Sequence, residues 1–335
     1  MFLREKPLLL PSIKLILAFP TGIMPLTKQG TQTYNSTDLQ EYRSDTASTH
    51  DYSPLEHLAR SVWFPYSDDG RFALLTSYFD ASGGEDHGFL VVAGYVARLS
   101  RWEKFAADWR FMLKHYEVPY FHMKQFAPTK YPKHPFDGPQ WKDESHRESF
   151  LRDLGSVIAT YIDFGVSCFV PYAEFLEVNK QYHLCEVYPL PYVLAGRDCI
   201  ATVNKEVKNK GWTQPIEYIF ECGDRGKGAL VDLVSAVGLP IPTFKPSRDI
   251  GGKKGVIQLQ ASDFAAFELR KAMKEYGEDA PLWKYRRSLM ALAKLENYWQ
   301  GYTKASLIEV CEKAGIPPRT PGSRIRVHKK RRLWK

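Results

Sequence analysis

Tyr78-Phe79-Asp80-Ala81-Ser82-Gly83-Gly84, then Glu85-Asp86-His87-Gly88, then Phe89-Leu90-Val91-Val92-Ala93-Gly94-Tyr95-Val96, is the stretch on which the reading of this chain turns. An apolar run from Phe72 stops at Asp80, the chain turns through Ser and two Gly, and a second apolar run returns. This predicts a β-hairpin with a carboxylate at its mouth. A strand that closes on Asp needs a partner for the charge, because an unpaired carboxylate out of water is costly. Backbone amides, a basic side chain or a metal ion would each serve. The plainer alternative is that Asp80 caps the turn through its own backbone.

Around this hairpin lie 335 residues, 44% of them hydrophobic, enough to bury the core of one large or two ordinary domains. The formal charge of +8 is carried entirely by the segment Arg319–Lys335, which holds eight Lys or Arg and no acid. Attraction to nucleic acid through net charge therefore rests on one tail, Arg324-Ile325-Arg326-Val327-His328-Lys329-Lys330-Arg331-Arg332, which otherwise reads as a solvated terminus. Five cysteines, widely spread and without Cys-x-x-Cys or zinc-like His spacing, indicate reduced thiols and a cytoplasmic protein. Pro11, Lys14, Pro20 and Pro25 interrupt the apolar stretch Leu8–Leu26, so a poorly ordered leader is expected there rather than a signal peptide or membrane anchor. Lys28–Asp51 is polar and aperiodic, and the folded part is expected to start near Pro54–Arg71.

Downstream, Ser100 and Glu103 have the spacing of a capping box, and Trp102, Phe105, Ala106, Trp109, Met112 and Tyr116 recur as one aromatic helix face. Val118–Lys124 reads as a short strand containing His122, a residue that is either a satisfied structural histidine or a ligand. A loop follows, Ala127–Trp141. Helices are predicted over 143–161, 173–182, 190–208 and 229–237, with strands over 164–170, 216–221 and near 243–246. Two more helices are expected between Trp283 and Ala314.

In the 216–221 strand, alternation puts Ile216, Tyr218 and Phe220 on one face and Glu217, Ile219 and Glu221 on the other. It ends in Glu221-Cys222-Gly223-Asp224-Arg225-Gly226-Lys227-Gly228, which lacks Walker spacing and reads as a turn into a helix or, more weakly, as a nucleotide cradle. A last long helix is predicted over 256–274. On it Asp263 aligns with Leu259, Ala266 and Phe267, so its carboxylate projects from the packed face. Ala261, Ala265 and Ala266 let that face come close to the sheet. The alternative is an Asp bonded to backbone amides near the helix start.

Asp80, Glu221, Asp224 and Asp263 are thus acids far apart in sequence on elements that can converge. Crowded carboxylates raise one another's pKa unless divalent cations neutralise them. Mg²⁺ or Mn²⁺ prefers such oxygen ligands, and a pair of ions about 4 Å apart activates water against a phosphodiester. The expectation is metal-dependent nuclease chemistry.

Several blocks together resemble the domain-of-unknown-function family 3800: Tyr-Phe-Asp-Ala-Ser-Gly with Val-Val-Ala-Gly-Tyr, Trp102 and Trp109, Phe-His-Met-Lys-Gln-Phe at 121–126, Phe-Glu-Cys-Gly-Asp-Arg-Gly-Lys-Gly at 220–228, and Leu-Gln-Ala-Ser-Asp-Phe-Ala-Ala-Phe-Glu-Leu-Arg-Lys at 259–271. The resemblance covers about Leu75–Lys271. It implies an RNase H-like fold, a mixed central sheet flanked by helices with a metal-supported acidic site. It also implies that Asp80 is the first-strand acid, that Asp263 is the acid of the late helix, that either Glu221 or Asp224 completes the set, and that His122 orients water or phosphate. The family usually reads Asp-Glu-Ser-Gly. Ala81 stands in place of that Glu, and strand alternation points residue 81 away from the face Asp80 uses.

The expected protein is therefore α/β and RNase H-like, with additional C-terminal helices. Residues 1–60 form a leader, 61–315 the domain with helical insertions, and 316–335 a basic tail. Asp80, Glu221, Asp224 and Asp263 are the expected metal ligands and, with His122, the catalytic group. Ser82 and Lys227 are expected to contact phosphate, Mg²⁺ or Mn²⁺ to be the cofactor, and DNA or RNA, not a membrane, to be the partner. The rival expectation is a non-catalytic nucleic-acid-binding or adaptor protein that keeps the fold and anchors through its tail.

Overall fold

The computed structural model describes residues 74–127, 134–276, 292 and 295–320. The expected leader, the start of the domain, the first of the two late helices and the basic run Arg324–Arg332 lie outside the described residues.

A six-stranded mixed sheet organises them, in the order β5-β4-β1-β2-β3-β6. β1 (Leu75–Gly84) and β2 (Phe89–Arg98) form the hairpin. β2 runs directly into α1 (Leu99–His115), and the short α2 (Met123–Phe126) and α3 (Glu144–Tyr161) follow. β3 (Phe164–Pro171), α4 (Tyr172–Gln181), α5 (Leu184–Val187) and α6 (Pro191–Asn209) lead to β4 (Ile216–Glu221). Then come α7 (Lys227–Ala236), β5 (Thr243–Lys245), α8 (Leu259–Tyr276), β6 (Asn297–Gly301) and α9 (Lys304–Lys313). β2 is antiparallel to both β1 and β3, whereas β1–β4, β4–β5 and β3–β6 are parallel pairs.

Alternation along the strands divides the core in two, one part on each face of the sheet. Tyr78, Ala93, Tyr95 and Ile219 face α1, α3 and α8. Leu75, Phe79, Val92, Tyr218 and Phe220 face α4, α6, α7 and α9. Trp102, Phe105 and Trp109 of α1 are fully buried, and the Trp102 indole N–H donates to the Thr76 carbonyl at 2.9 Å. The predicted aromatic face is therefore a core face. No helix among the described residues is long and apolar enough to cross a membrane.

Three local expectations are corrected and one strand is added. β1 does not stop at Asp80 but continues to Gly84, and Ser82, Gly83 and Gly84 pair with Val91, Leu90 and Phe89. The reversal is the 3₁₀ turn Glu85–His87, closed by Gly88 at φ 76°. Cross-strand pairing with an apolar partner outweighs the local turn signal of two glycines. Ser100 does not cap α1. Its helix begins one residue earlier, and the Leu99 amide is satisfied by the Leu74 carbonyl at 2.8 Å. Val118–Lys124 forms no strand, because side chains of α8 take the amides of Phe121 and Met123 and Met123 opens the short helix α2. Asn297–Gly301, where no strand is expected, is an edge strand beside β3, and the second late helix is α9.

Gly94 shows how closely the hairpin is fitted. Opposite it in the ladder lies Phe79, whose ring stacks on Phe220 with centroids 4.8 Å apart. A Cβ at residue 94 would lie 2.0 Å from the Tyr78 carbonyl oxygen and 2.4 Å from the Phe79 ring. Since the first of these is backbone, no rotamer change relieves it. Gly94→Ala is expected to lower stability by about 1–3 kcal/mol or more, read as a fall in the urea midpoint. Gly88→Ala meets no neighbour within 4 Å, and its left-handed φ costs only about 1–2 kcal/mol.

Candidate functional site

β1, β4 and α8 carry three of the four acids to one place. The parallel register of β1 and β4 ends with Phe79 beside Phe220, so the next residues of the two strands are Asp80 and Glu221. Ile219 belongs to the core on the α8 side, and by alternation Glu221 is directed to that same face. Ala81 packs into the opposite core, as alternation predicts. α8 lies close against β1 through its small residues, and Ser262 Oγ donates to the Tyr78 carbonyl at 2.8 Å. This seats Asp263, 7% exposed, over the strand. Asp80 is itself 9% exposed, and its Oδ1 accepts the Ala81 amide at 2.7 Å.

Electrostatics tie the four together. Burial first, and then the charges of Asp263, Asp224 and Glu221, push the Asp80 carboxyl well above the usual range, against the pull of the Ala81 amide. Burial and Glu221 raise Asp224 to about 7, with Lys227 pulling down. Glu221 is raised by burial, opposed by the nearby Cys222 and Ser247 amides, and raised further by Asp263. Its buried Oε2 has no hydrogen-bond partner. The carboxyl groups thus sense one another, yet among the described residues no three His, Cys, Asp or Glu side chains stand gathered as a group that could hold a metal ion. Charge coupling acts over longer distances than coordination, and the geometry is the stricter statement about metal binding.

His122 joins this cluster through Asp263. Asp263 Oδ2 accepts the Met123 amide at 2.6 Å and His122 Nδ1–H at 3.0 Å. A carboxylate opposite Nδ1 holds a proton on that nitrogen and leaves Nε2 on the other side of the ring. Asp263 keeps one part of each reading. It projects from the packed face, and it bonds a backbone amide, though of a distant segment and not of its own helix.

The other two expected residues are placed differently. Lys227 Nζ donates to the Cys222 carbonyl at 2.5 Å and so closes the glycine-rich loop on itself. Ser82, two residues beyond Asp80 on the same strand face, accepts a hydrogen bond from Arg270 Nε at 3.0 Å.

Three residues escaped the sequence reading. Gln260, 3% exposed, accepts from Trp109 Nε1 and the Phe121 amide, each at 3.0 Å, and donates to the Ser247 carbonyl at 3.1 Å. One side chain thereby joins α1, α8, the segment before α2 and the loop beside Glu221. Arg270 lies seven residues after Asp263. Both stand at helical spacings from Asp263, three before and seven after, which is the signal that would have found them. Tyr192 of α6, buried with an unpartnered hydroxyl, is held in its un-ionised form by burial and by the charges of Asp224 and Asp80. No spacing in the sequence links it to these acids.

Two measurements test this arrangement. Gln260→Leu should leave the Trp109 and Phe121 donors buried without an acceptor and cost about 2–4 kcal/mol, seen in urea unfolding. For Asp224 the sign is set by a folded-state pKa near 7 against an ordinary value of 3.8. The folded protein holds this proton more tightly, so stability falls as pH rises from about 4 to 7 and then levels off. Asp224→Asn should remove that loss. The variant is expected to exceed the parent by about 1–2 kcal/mol at pH 8, after allowance for partial exposure, and to match it at pH 4.

Comparison with known proteins returned no match: no family model, no curated protein and no solved structure is significantly similar to this chain.

Proposed function

We propose that this chain is a Mg²⁺- or Mn²⁺-dependent nuclease that hydrolyses phosphodiester bonds on the face shared by β1, β4 and α8. The observation that carries the proposal is the parallel register that ends β1 and β4 at Asp80 and Glu221, with α8 against β1 bringing buried Asp263 to the same face. Acids that act on one another's charge around one sheet end need something to offset their repulsion. The donor set is all oxygen, as hard cations prefer, and Glu221 Oε2 is buried without a partner. Asp80, Asp263, Glu221 and Asp224 would hold the ions.

The ions, when bound, supply a nucleophilic hydroxide and neutralise charge on the phosphate oxygens. The chain's own residues do the rest. Asp263 fixes the His122 ring, whose Nε2 is the base available for a water proton. Tyr192 and the aromatic core beneath the sheet exclude bulk water and so strengthen the local fields. The Lys227–Cys222 bond holds the loop that carries Asp224. A six-stranded mixed sheet with helices on both faces supports the RNase H-like reading, and the acid positions support the resemblance to family 3800. The five cysteines, all free, fit a cytoplasmic setting.

A second reading, nucleic-acid binding without cleavage, draws on the same geometry, since no three acids stand as a metal-holding group among the described residues. One experiment separates the two. Purified protein with Mn²⁺ is expected to cut single- or double-stranded DNA or RNA, and Asp80→Asn is expected to cut at least about 100-fold more slowly, in line with loss of a metal-centred contribution. Equal cleavage by that variant would overturn the nuclease proposal, while nucleic-acid binding with no cleavage by the parent would favour the second reading.

A further inference from the structure

Arg270 as a residue is only 9% exposed, and burial lowers the pKa of its guanidinium. Its hydrogen-bond partner is neutral, the Ser82 hydroxyl at 3.0 Å, and its charged end lies 5.0 Å from the centroid of the Phe267 ring. Among the described residues no carboxylate pairs with it. A cation withdrawn from water without a counter-charge is costly, and the guanidinium fork matches phosphate oxygens through two parallel bonds. Nε is committed to Ser82, so the remaining N–H donors are those of the two Nη atoms.

Neighbouring charge has the same sign. Burial first, and then the charges of Arg270, Lys274 and Lys124, lower the pKa of His87, with the Asp86 carboxylate pulling the other way. The three cations come from two elements, α8 and α2, and act on the turn between β1 and β2 that carries His87 and the acids Glu85 and Asp86.

The spot keeps step with the acidic face. Asp80 and Ser82 are next neighbours on one side of β1, about 7 Å apart along the strand. Asp263 and Arg270 are seven residues apart on α8, about 10 Å along its axis. Strand and helix thus bring an acid pair and, beside it, a Ser–Arg pair.

We propose that Ser82 and Arg270, with Lys274, His87 and Lys124 around them, bind a backbone phosphate of a nucleic-acid strand lying next to the phosphate held at the acidic face. The assignment of this ligand to nucleic acid rests on the function proposed above. The anion site itself rests on the uncompensated guanidinium.

Binding can be measured without catalysis. In EDTA, a fluorescently labelled twelve-nucleotide single strand, as DNA and as RNA of one sequence, is titrated with full-length protein and followed by anisotropy. Arg270→Ala is expected to weaken binding about tenfold or more and to reduce the salt slope by about one. Arg270→Lys should recover part of the loss, because it restores charge without the fork. Ser82→Ala should cost less than either. Inorganic phosphate is also expected to raise the melting temperature of the parent more than that of Arg270→Lys, a comparison that stands even if the alanine variant fails to fold.

Parental affinity and salt slope in Arg270→Ala would overturn the proposal. Phosphate protection with no oligonucleotide binding would overturn its nucleic-acid part. Loss of Mn²⁺-dependent cleavage as a property of the parent, with Arg270-dependent binding intact, would sink the nuclease reading and leave this one standing.

Discussion

Mutual repulsion among buried carboxyl groups is the constraint on which the rest of this structure depends. Asp80 and Glu221 are brought side by side by the parallel register of two central strands, and that register is fixed by Phe79 and Phe220 stacking on the other face. The apolar packing below the sheet therefore dictates the charge crowding above it. α8 adds a third acid because its small residues and the Ser262–Tyr78 bond let it lie against β1. Each contact is favourable in itself, and the electrostatic cost appears only in their sum. Retained protons offset that cost in the isolated chain, as the raised Asp80 and Asp224 carboxyls record. Divalent cations would offset it at a pH where those protons are gone.

One helix face does two jobs. Gln260 and Asp263, one turn apart on α8, take the amides of Phe121 and Met123, so the segment before α2 is docked by side chains where a strand would use a ladder. Because Gln260 also takes the Trp109 indole, the position of His122 is coupled to the aromatic core of α1. Asp263 is thus both a member of the acidic group and the anchor of His122. Its substitution would disturb charge and geometry together, whereas changes at Asp80 act on charge more cleanly.

The sequence made the sheet and its acidic face legible because both follow from period-two alternation, which is local and strong in β1, β2 and β4. Placing Asp263 required only helical spacing. What stayed hidden depended on long-range partners. The continuation of β1 past Asp80 is decided by Phe89–Val91 across the ladder, and two glycines in a row argue locally for the opposite. The segment around His122 is apolar enough for a strand, but its amides are claimed from a helix 140 residues away in sequence. β6 borrows its strand character from β3. Tyr192 reaches the acids from a helix on the far face of the sheet, a relation that no pattern along one element can encode.

Charge distribution bears on how such a site would work. Outside Arg319–Lys335 the chain has equal numbers of basic and acidic residues, so the body as a whole exerts little long-range pull on a polyanion. Attraction must then be local. Asp263 and Arg270 are about 10 Å apart along α8, and because both are buried their fields are screened less than those of surface charges. Under the proposed function a phosphate at the arginine end would lie nearer the cation than the acids, while one at the acidic end would be repelled until cations were bound. A strand held first at Arg270 and drawn over the acids only when ions are bound would couple substrate engagement to metal loading, through nothing more than the order in which two opposite charges are met along one helix.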